Sequence, residues 1–150
     1  MKIFSAPVSA ASIAAALGFT PVANVGGTIF LAGDVALNDT ANFQNGPATP
    51  SLPAGTYELT ADASVSAAAA HNIVAQIFDG TAAVKTARGA VPVANQTTTI
   101  SFGVILTIAV ATTFTLQVKD VTANTGTLLR STANATTANL ATSISYKRLT

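Results

Sequence analysis

Much of this chain alternates between apolar and polar residues. The clearest stretch follows the turn Leu52-Pro53-Ala54-Gly55, where apolar side chains are expected to point one way and polar side chains the other. A period of two residues is typical of a β-strand with one buried face. The apolar set is Tyr57, Leu59, Ala61, Ala63 and Val65, and the polar set is Thr56, Glu58, Thr60, Asp62 and Ser64.

Similar alternation, or a run of β-branched and aromatic residues, predicts further strands along the chain. Asp79-Gly80 predicts a hairpin turn in which both residues have positive φ. About eight strands with no helix between them predict an antiparallel β-sandwich or barrel, because parallel strands need crossover helices. The further strands are expected at 28–36, near Phe43, and at 71–78, 81–87, 97–108, 113–122, 127–131 and 140–149, and the main loops at 38–53, 67–70 and 134–139.

The beginning of the chain has a different pattern. Ser9 can cap a short helix over Ala10–Leu17, which Gly18 closes and Pro21 prevents from continuing. A helix this short is marginal in water, so we expect it to form against trimer mates or a partner protein. We therefore divide the chain into an anchor peptide with a linker, 1–26, and a β domain, 27–150. The residues expected to carry the anchoring contact are Ile3, Phe4, Ile13, Leu17, Phe19 and Pro21.

The composition limits the partners of the chain. Charged residues make up only 9%, and the net charge of +1 predicts neither nucleic-acid nor acidic-membrane binding. The longest apolar run, Ile100–Ala111, is too short to span a bilayer. With 31 Ala and 23 Thr, large apolar side chains must form a thin core. A weakly charged surface that its neighbours cover, together with a thin core, predicts a homotrimer with a shared axis.

Residues suited to catalysis or metal binding are few and scattered. His71 could act as a base oriented by Asp62 or Asp79, but no nucleophile motif accompanies it, and we expect it to be exposed. Glu58 and Asp62 share a strand face but lie about 13 Å apart, too far for a glycosidase pair. The segment Asp34–Asp39 lacks calcium-loop spacing. We therefore predict no catalytic residue, no metal, no cofactor and no enzymatic activity.

Two sets of residues carry a resemblance to known proteins. Ala-Leu-Gly-Phe-Thr-Pro, at 16–21, resembles a segment that recurs in fibre, spike and head-decoration proteins of tailed bacteriophages. Pro53–Ala61, the Phe78-Asp79-Gly80 hairpin and Ser143–Leu149 look like a phage-type relative of the C1q/TNF-like jelly roll, over roughly 27–150. In that family the aromatic-bearing strand after the Pro-Gly turn and the C-terminal strand lie near the trimer axis.

The resemblance implies a structural virion protein on the capsid surface. Its trimeric jelly roll would be displayed, and its N-terminal segment would bind the major capsid protein or another virion protein. The chain has no long shaft or repeats, which favours a decoration or head-fibre protein over a tail fibre. The alternative is a tail-fibre or spike tip that binds a host receptor or glycan. That function predicts exposed aromatic residues in loops, where the sequence offers only Phe43.

Overall fold

The protein is an antiparallel β-sandwich, which confirms the predicted all-β jelly roll. The structure, a computed structural model, describes residues 25–134, 137–140 and 142–150. The predicted helix and all six predicted anchor residues lie outside the described residues. Within the described part of the chain, no helix is long and apolar enough to cross a membrane.

Twelve strands are present in the described residues. In chain order they are β1 (Gly26–Phe30), β2 (Val35–Leu37), β3 (Gln44–Ala48), β4 (Gly55–Ser66), β5 (His71–Phe78), β6 (Ala83–Val91), β7 (Thr97–Ile108), β8 (Thr115–Asp120), β9 (Gly126–Leu128), β10 (Ser131–Asn134), β11 (Thr137–Leu140) and β12 (Ser143–Arg148).

The strands form two main sheets and a small ribbon. In the first, sheet A, the neighbours run β1-β12-β4-β7, and β9 pairs with the end of β4 and with β2. In the second, sheet B, the order is β3-β8-β5-β6. The ribbon is the β10–β11 hairpin. The longest ladder joins β4 to β7 over their full length, from Gly55 opposite Ile108 to Ser66 opposite Thr97.

The core lies between sheets A and B. The predicted inward set of β4 is buried, since Tyr57, Leu59, Ala61, Ala63 and Val65 are at most 2% exposed. Sheet B contributes inward side chains from β5 and β8, and alanines fill several buried positions. The buried side chains facing β4 include Ile73, Ala75, Ile77, Leu116 and Val118, with Phe114 just before β8.

The segment predicted as one strand at 28–36 is two strands. β1 pairs with β12 and β2 pairs with β9, and these partners follow one another along the same side of β4. The chain must therefore step from one partner to the next between Phe30 and Val35. Asp34 holds this step, because its Oδ1 accepts a hydrogen bond from the Arg130 N–H at 2.7 Å.

Three local predictions need correction. The predicted loop at 134–139 contains half of the strand residues of the β10–β11 hairpin, with Asn134 opposite Thr137. Gly26, the last residue of the predicted linker, is instead the first residue of β1, and a Cβ on the next residue, Gly27, would lie 3.0 Å from the Tyr146 hydroxyl.

The turn between β5 and β6 is the third difference. Only Gly80 has a positive φ, at 96°, so the predicted two-residue turn is wrong. Asp79 instead begins a four-residue loop, and its Oδ1 accepts hydrogen bonds from the N–H groups of Thr81 and Ala82, each at 2.7 Å. A side-chain acceptor two and three residues back is a local alternative to a turn that requires two positive φ angles.

Candidate functional site

His71 is buried, and the expectation that it would be exposed is wrong. This residue begins β5 and is 4% exposed, and its Nδ1 hydrogen-bonds to Oδ2 of the fully buried Asp120. Asp120 Oδ1 also accepts the N–H groups of Thr122 and Ala123 at 3.0 and 3.2 Å. The pair therefore ties the start of β5 to the end of β8.

The two predicted partners of His71 lie elsewhere. Asp62 accepts a hydrogen bond from the Ser101 hydroxyl at 2.5 Å, and Asp79 holds its own turn. In the described residues no Ser or Thr hydroxyl bonds to His71, whose partner is Asp120. The signal for Asp120 was present in the sequence, since it continues the inward alternation of Leu116 and Val118.

The remaining acidic residues are also separate. Asp39 Oδ1 accepts the N–H groups of Ala41 and Asn42, and its Oδ2 accepts the Asn42 side-chain amide at 2.6 Å. The hydrogen bond from that amide, followed by the backbone donors, lowers the pKa of Asp39. The Ala82 and Thr81 N–H groups lower the pKa of Asp79 in the same way. Across the residues that the structure describes, no three acidic or His side chains are grouped to hold a metal.

One side of sheet A, which we call the A face, points away from the core. Paired residues on neighbouring strands share a face, so the register places short side chains and glycines in rows across four strands. Glu58, Asp62 and Lys147 are its charged residues, and Lys147 lies directly opposite Glu58. The A face consists of Gly26, Thr28, Phe30, Glu58, Thr60, Asp62, Ser101, Gly103, Ile105, Ser143, Ser145 and Lys147.

Hydroxyl groups on the A face and on its continuation along β4 and β7 bond to one another. Thr28 and Ser145 hydroxyls lie 2.8 Å apart, and the Ser101 hydroxyl donates to Asp62. The pairs Thr56–Thr107 and Ser64–Thr99, at 3.0 and 2.7 Å, extend the pattern. Because these groups already have partners within the subunit, covering them costs less than covering free hydroxyls.

Two large apolar side chains flank the A face. Phe30 is 42% exposed at one edge and Ile105 is 64% exposed on the opposite strand. Between them lies a shallow depression of about 580 Å³, over Thr28, Thr60 and Ser145. The A face therefore combines a flat floor of small residues with two apolar projections.

Phe43 does not offer a free aromatic surface. It is half-buried just before β3, and the Lys119 ammonium lies 4.8 Å from the centre of its ring. The same ammonium lies 3.5 Å from the Ala41 carbonyl oxygen. A cation over the ring occupies the face on which a sugar would stack.

A groove of about 620 Å³ lies at one end of sheet B, on the side of the sandwich away from the A face. Phe78 and Asp79 form one wall and Val110 belongs to the other, while Thr115 and Gln117 lie on the floor. Sequence reasoning missed this groove because Phe78 and Val110 are far apart in the chain.

Comparison with known proteins identifies the fold. No protein-family model and no curated protein matches the chain. Among solved structures, it is similar to the Eiger TNF of S. frugiperda, with a TM-score of 0.56 and 9% sequence identity. The match covers 85% of this chain and 93% of the Eiger chain. At this identity the likeness defines a class: the protein is a β-sandwich with the TNF-like jelly-roll fold.

Proposed function

We propose that this chain is a structural virion protein that assembles as a homotrimer through the A face and has no catalytic turnover. Its N-terminal segment anchors it to the capsid of a tailed bacteriophage, as a head-decoration or head-fibre protein. The A face supports self-association, because its hydroxyl groups already have hydrogen-bond partners within the subunit and its apolar residues Phe30 and Ile105 are exposed.

A second copy of the same chain suits the A face better than an unrelated partner. The face carries both signs of charge, with Lys147 beside Glu58, so copies related by rotation can bring opposite charges together. Ile105 and Phe30 lie on different edges, so one copy can cover the projection of the next around a closed axis. A fold of the TNF type is consistent with such a trimer.

The virion assignment rests on the sequence. It depends on the resemblance of residues 16–21 to phage head and fibre proteins and on the short helix predicted before them. The anchor residues Ile3, Phe4, Ile13, Leu17, Phe19 and Pro21 belong to this proposal. Each large apolar side chain among them would contribute about 1.5–3 kcal/mol if buried at a capsid site.

The self-association is tested with Ile105→Lys. The new ammonium would lie opposite Glu58 on the neighbouring strand, so the subunit can keep its fold, whereas a charge at the centre of an apolar contact opposes assembly. Val93→Lys is the matched control, since Val93 is an exposed apolar residue, 53% accessible, in the loop before β7. Light scattering after gel filtration should give the wild type and Val93→Lys a mass near three 15.0 kDa chains, and Ile105→Lys a single chain.

Two results would contradict the proposal. A wild-type mass near 15.0 kDa at micromolar concentration would show that the protein is a monomer and not a trimer. If the Ile105→Lys variant is still a trimer, the interface between subunits does not lie on the A face. The virion location is tested separately by cryo-electron microscopy of the source particle, where capsid-surface density must fit three jelly rolls around an axis.

A further inference from the structure

The groove on sheet B has an aromatic and apolar part. Phe78 is half-buried on the outer side of β5 and lines the groove. Val110, across the groove, is 71% exposed, the most exposed large apolar side chain in the described residues. Two separated apolar contacts in a groove that is otherwise polar fit a ligand with both C–H and O–H surface.

The floor of the groove includes the end of an ordered row of amides. The Gln76 side-chain N–H donates to Gln117 Oε1 at 2.7 Å, and the Gln117 N–H donates to Asn45 Oδ1 at 2.8 Å. Each amide in the row donates to the next one, so the side-chain N–H groups of Asn45, at the end of the row, can donate to a ligand. Because each amide polarises the next, the terminal donor is strengthened.

The walls of the groove are held in place before any ligand arrives. Leu52 and Thr112 exchange two backbone hydrogen bonds at 2.8 and 2.9 Å, and the Thr112 hydroxyl donates to the Val110 carbonyl. On the other side, Asp79 Oδ1 is fixed by Thr81 and Ala82, so its second oxygen is an acceptor of defined position. A preformed site lowers the entropic cost of binding.

From these contacts we infer that the groove binds a neutral sugar. The C–H face of a pyranose would pack on Phe78 and Val110, because the negative face of an aromatic ring attracts polarised C–H groups. The sugar hydroxyls would donate to Asp79 and accept from Asn45. Among the described residues that line the groove there is no Lys or Arg, and Asp79 is the one charged group, which disfavours phosphate, sulfate or nucleic acid.

This inference does not depend on the virion assignment. The groove is formed within one subunit and lies on the opposite sheet from the A face, so it stays open in the proposed trimer. Three grooves on one trimer would increase the avidity for a surface bearing many copies of the sugar.

Saturation-transfer NMR on the full chain tests the site. The probes are the methyl glycosides of glucose, galactose, mannose, rhamnose, N-acetylglucosamine and N-acetylgalactosamine. At least one should receive saturation and bind in the millimolar range. Phe78→Leu keeps apolar bulk but removes the ring, and should weaken that binding by roughly five- to tenfold. Asp79→Asn keeps the turn acceptor but removes the charge, and should weaken binding about tenfold.

The chain offers a matched control for each variant. Phe43→Leu replaces a half-buried phenylalanine outside the groove, and Asp39→Asn changes an aspartate that holds a turn in the same manner. Both should bind as the wild type does, and so should Ile105→Lys, which separates the groove from the trimer.

The proposal is overturned if none of the six glycosides binds. It is also overturned if the two groove variants bind as tightly as the two controls, or if Ile105→Lys loses the sugar with the fold intact, since the site would then lie between subunits. If Phe78→Leu fails to fold by circular dichroism, Asp79→Asn alone decides the question.

Discussion

The buried Asp120 provides the sharpest test of the structure. Its carboxyl group hydrogen-bonds to His71 Nδ1 and accepts hydrogen bonds from the N–H groups of Thr122 and Ala123. Asp120→Ala would leave the buried imidazole without this partner and remove the acceptor of two backbone donors. A buried group left without its hydrogen-bond partner costs about 1–3 kcal/mol, and the two lost backbone hydrogen bonds add about 1 kcal/mol each, so the total is about 3–5 kcal/mol. For a domain whose total stability is about 5–15 kcal/mol, that is a large fraction.

The assays are urea unfolding and thermal unfolding, each followed by circular dichroism at one fixed protein concentration, because subunit association also affects both midpoints. The thermal midpoint of Asp120→Ala should fall by roughly 6–20 °C. Asp120→Asn should cost less, because the amide oxygen still accepts the two backbone donors. The exposed-turn control Asp39→Ala should change the midpoint far less. If Asp120→Ala unfolds at the same urea concentration as Asp39→Ala, the buried pair does not contribute as argued.

Three further predictions address other parts of the molecule. Deleting residues 1–24 leaves all strands of the described residues in place, and it spares the Val25 carbonyl that accepts a hydrogen bond from Arg148 N–H. The truncated chain should therefore keep its β-type circular dichroism and its trimer but fail to bind particles that lack the native copy. Binding of the truncated chain at wild-type occupancy would exclude the anchor. Gly103→Ala should destabilise the sandwich by about 1–3 kcal/mol, because the added Cβ would lie 2.8 Å from the Leu59 carbonyl oxygen. Gly33→Ala is the control: Gly33 has open space around it, so this variant should be near neutral in the same urea assay. The pKa of Asp79 is lowered in the folded protein, so its ionised carboxylate stabilises the turn fully at pH values above the ordinary pKa of 3.8. This stabilisation is lost as the pH falls through the lower pKa of the folded state. A carboxyl carbon of Asp79 that titrates by NMR with a pKa at or above 3.8 would contradict this.

The strand boundaries show how far the alternation of residues predicts the structure and where it stops doing so. The span of β7 was predicted to the residue, because ten of its twelve residues are β-branched, aromatic or otherwise apolar, which leaves no competing pattern. The division of 28–36 into β1 and β2 was not predicted, because the break arises from the positions of their partners β12 and β9 along β4. The local pattern of residues in a strand does not predict which distant strand pairs with it.

The A face and the groove differ in how far the sequence defined them. The short polar side chains of the A face follow directly from the alternation of β4, which also determined that Glu58 and Asp62 share a side. The groove depends on Phe78, Val110 and Asn45, which lie on three separate segments of the chain. Only the packing of those segments brings an aromatic ring, an amide and a carboxylate to one place.

The sequence by itself determined the fold class and the inward residues of the long strands, since a period of two assigns each side chain to a face wherever one face is buried. Only the tertiary structure decided that His71 is buried against Asp120 and that Phe43 is covered by Lys119. It also decided which hydroxyls pair across the A face. These contacts join residues far apart in the chain, and they form only when strand order and register place them side by side.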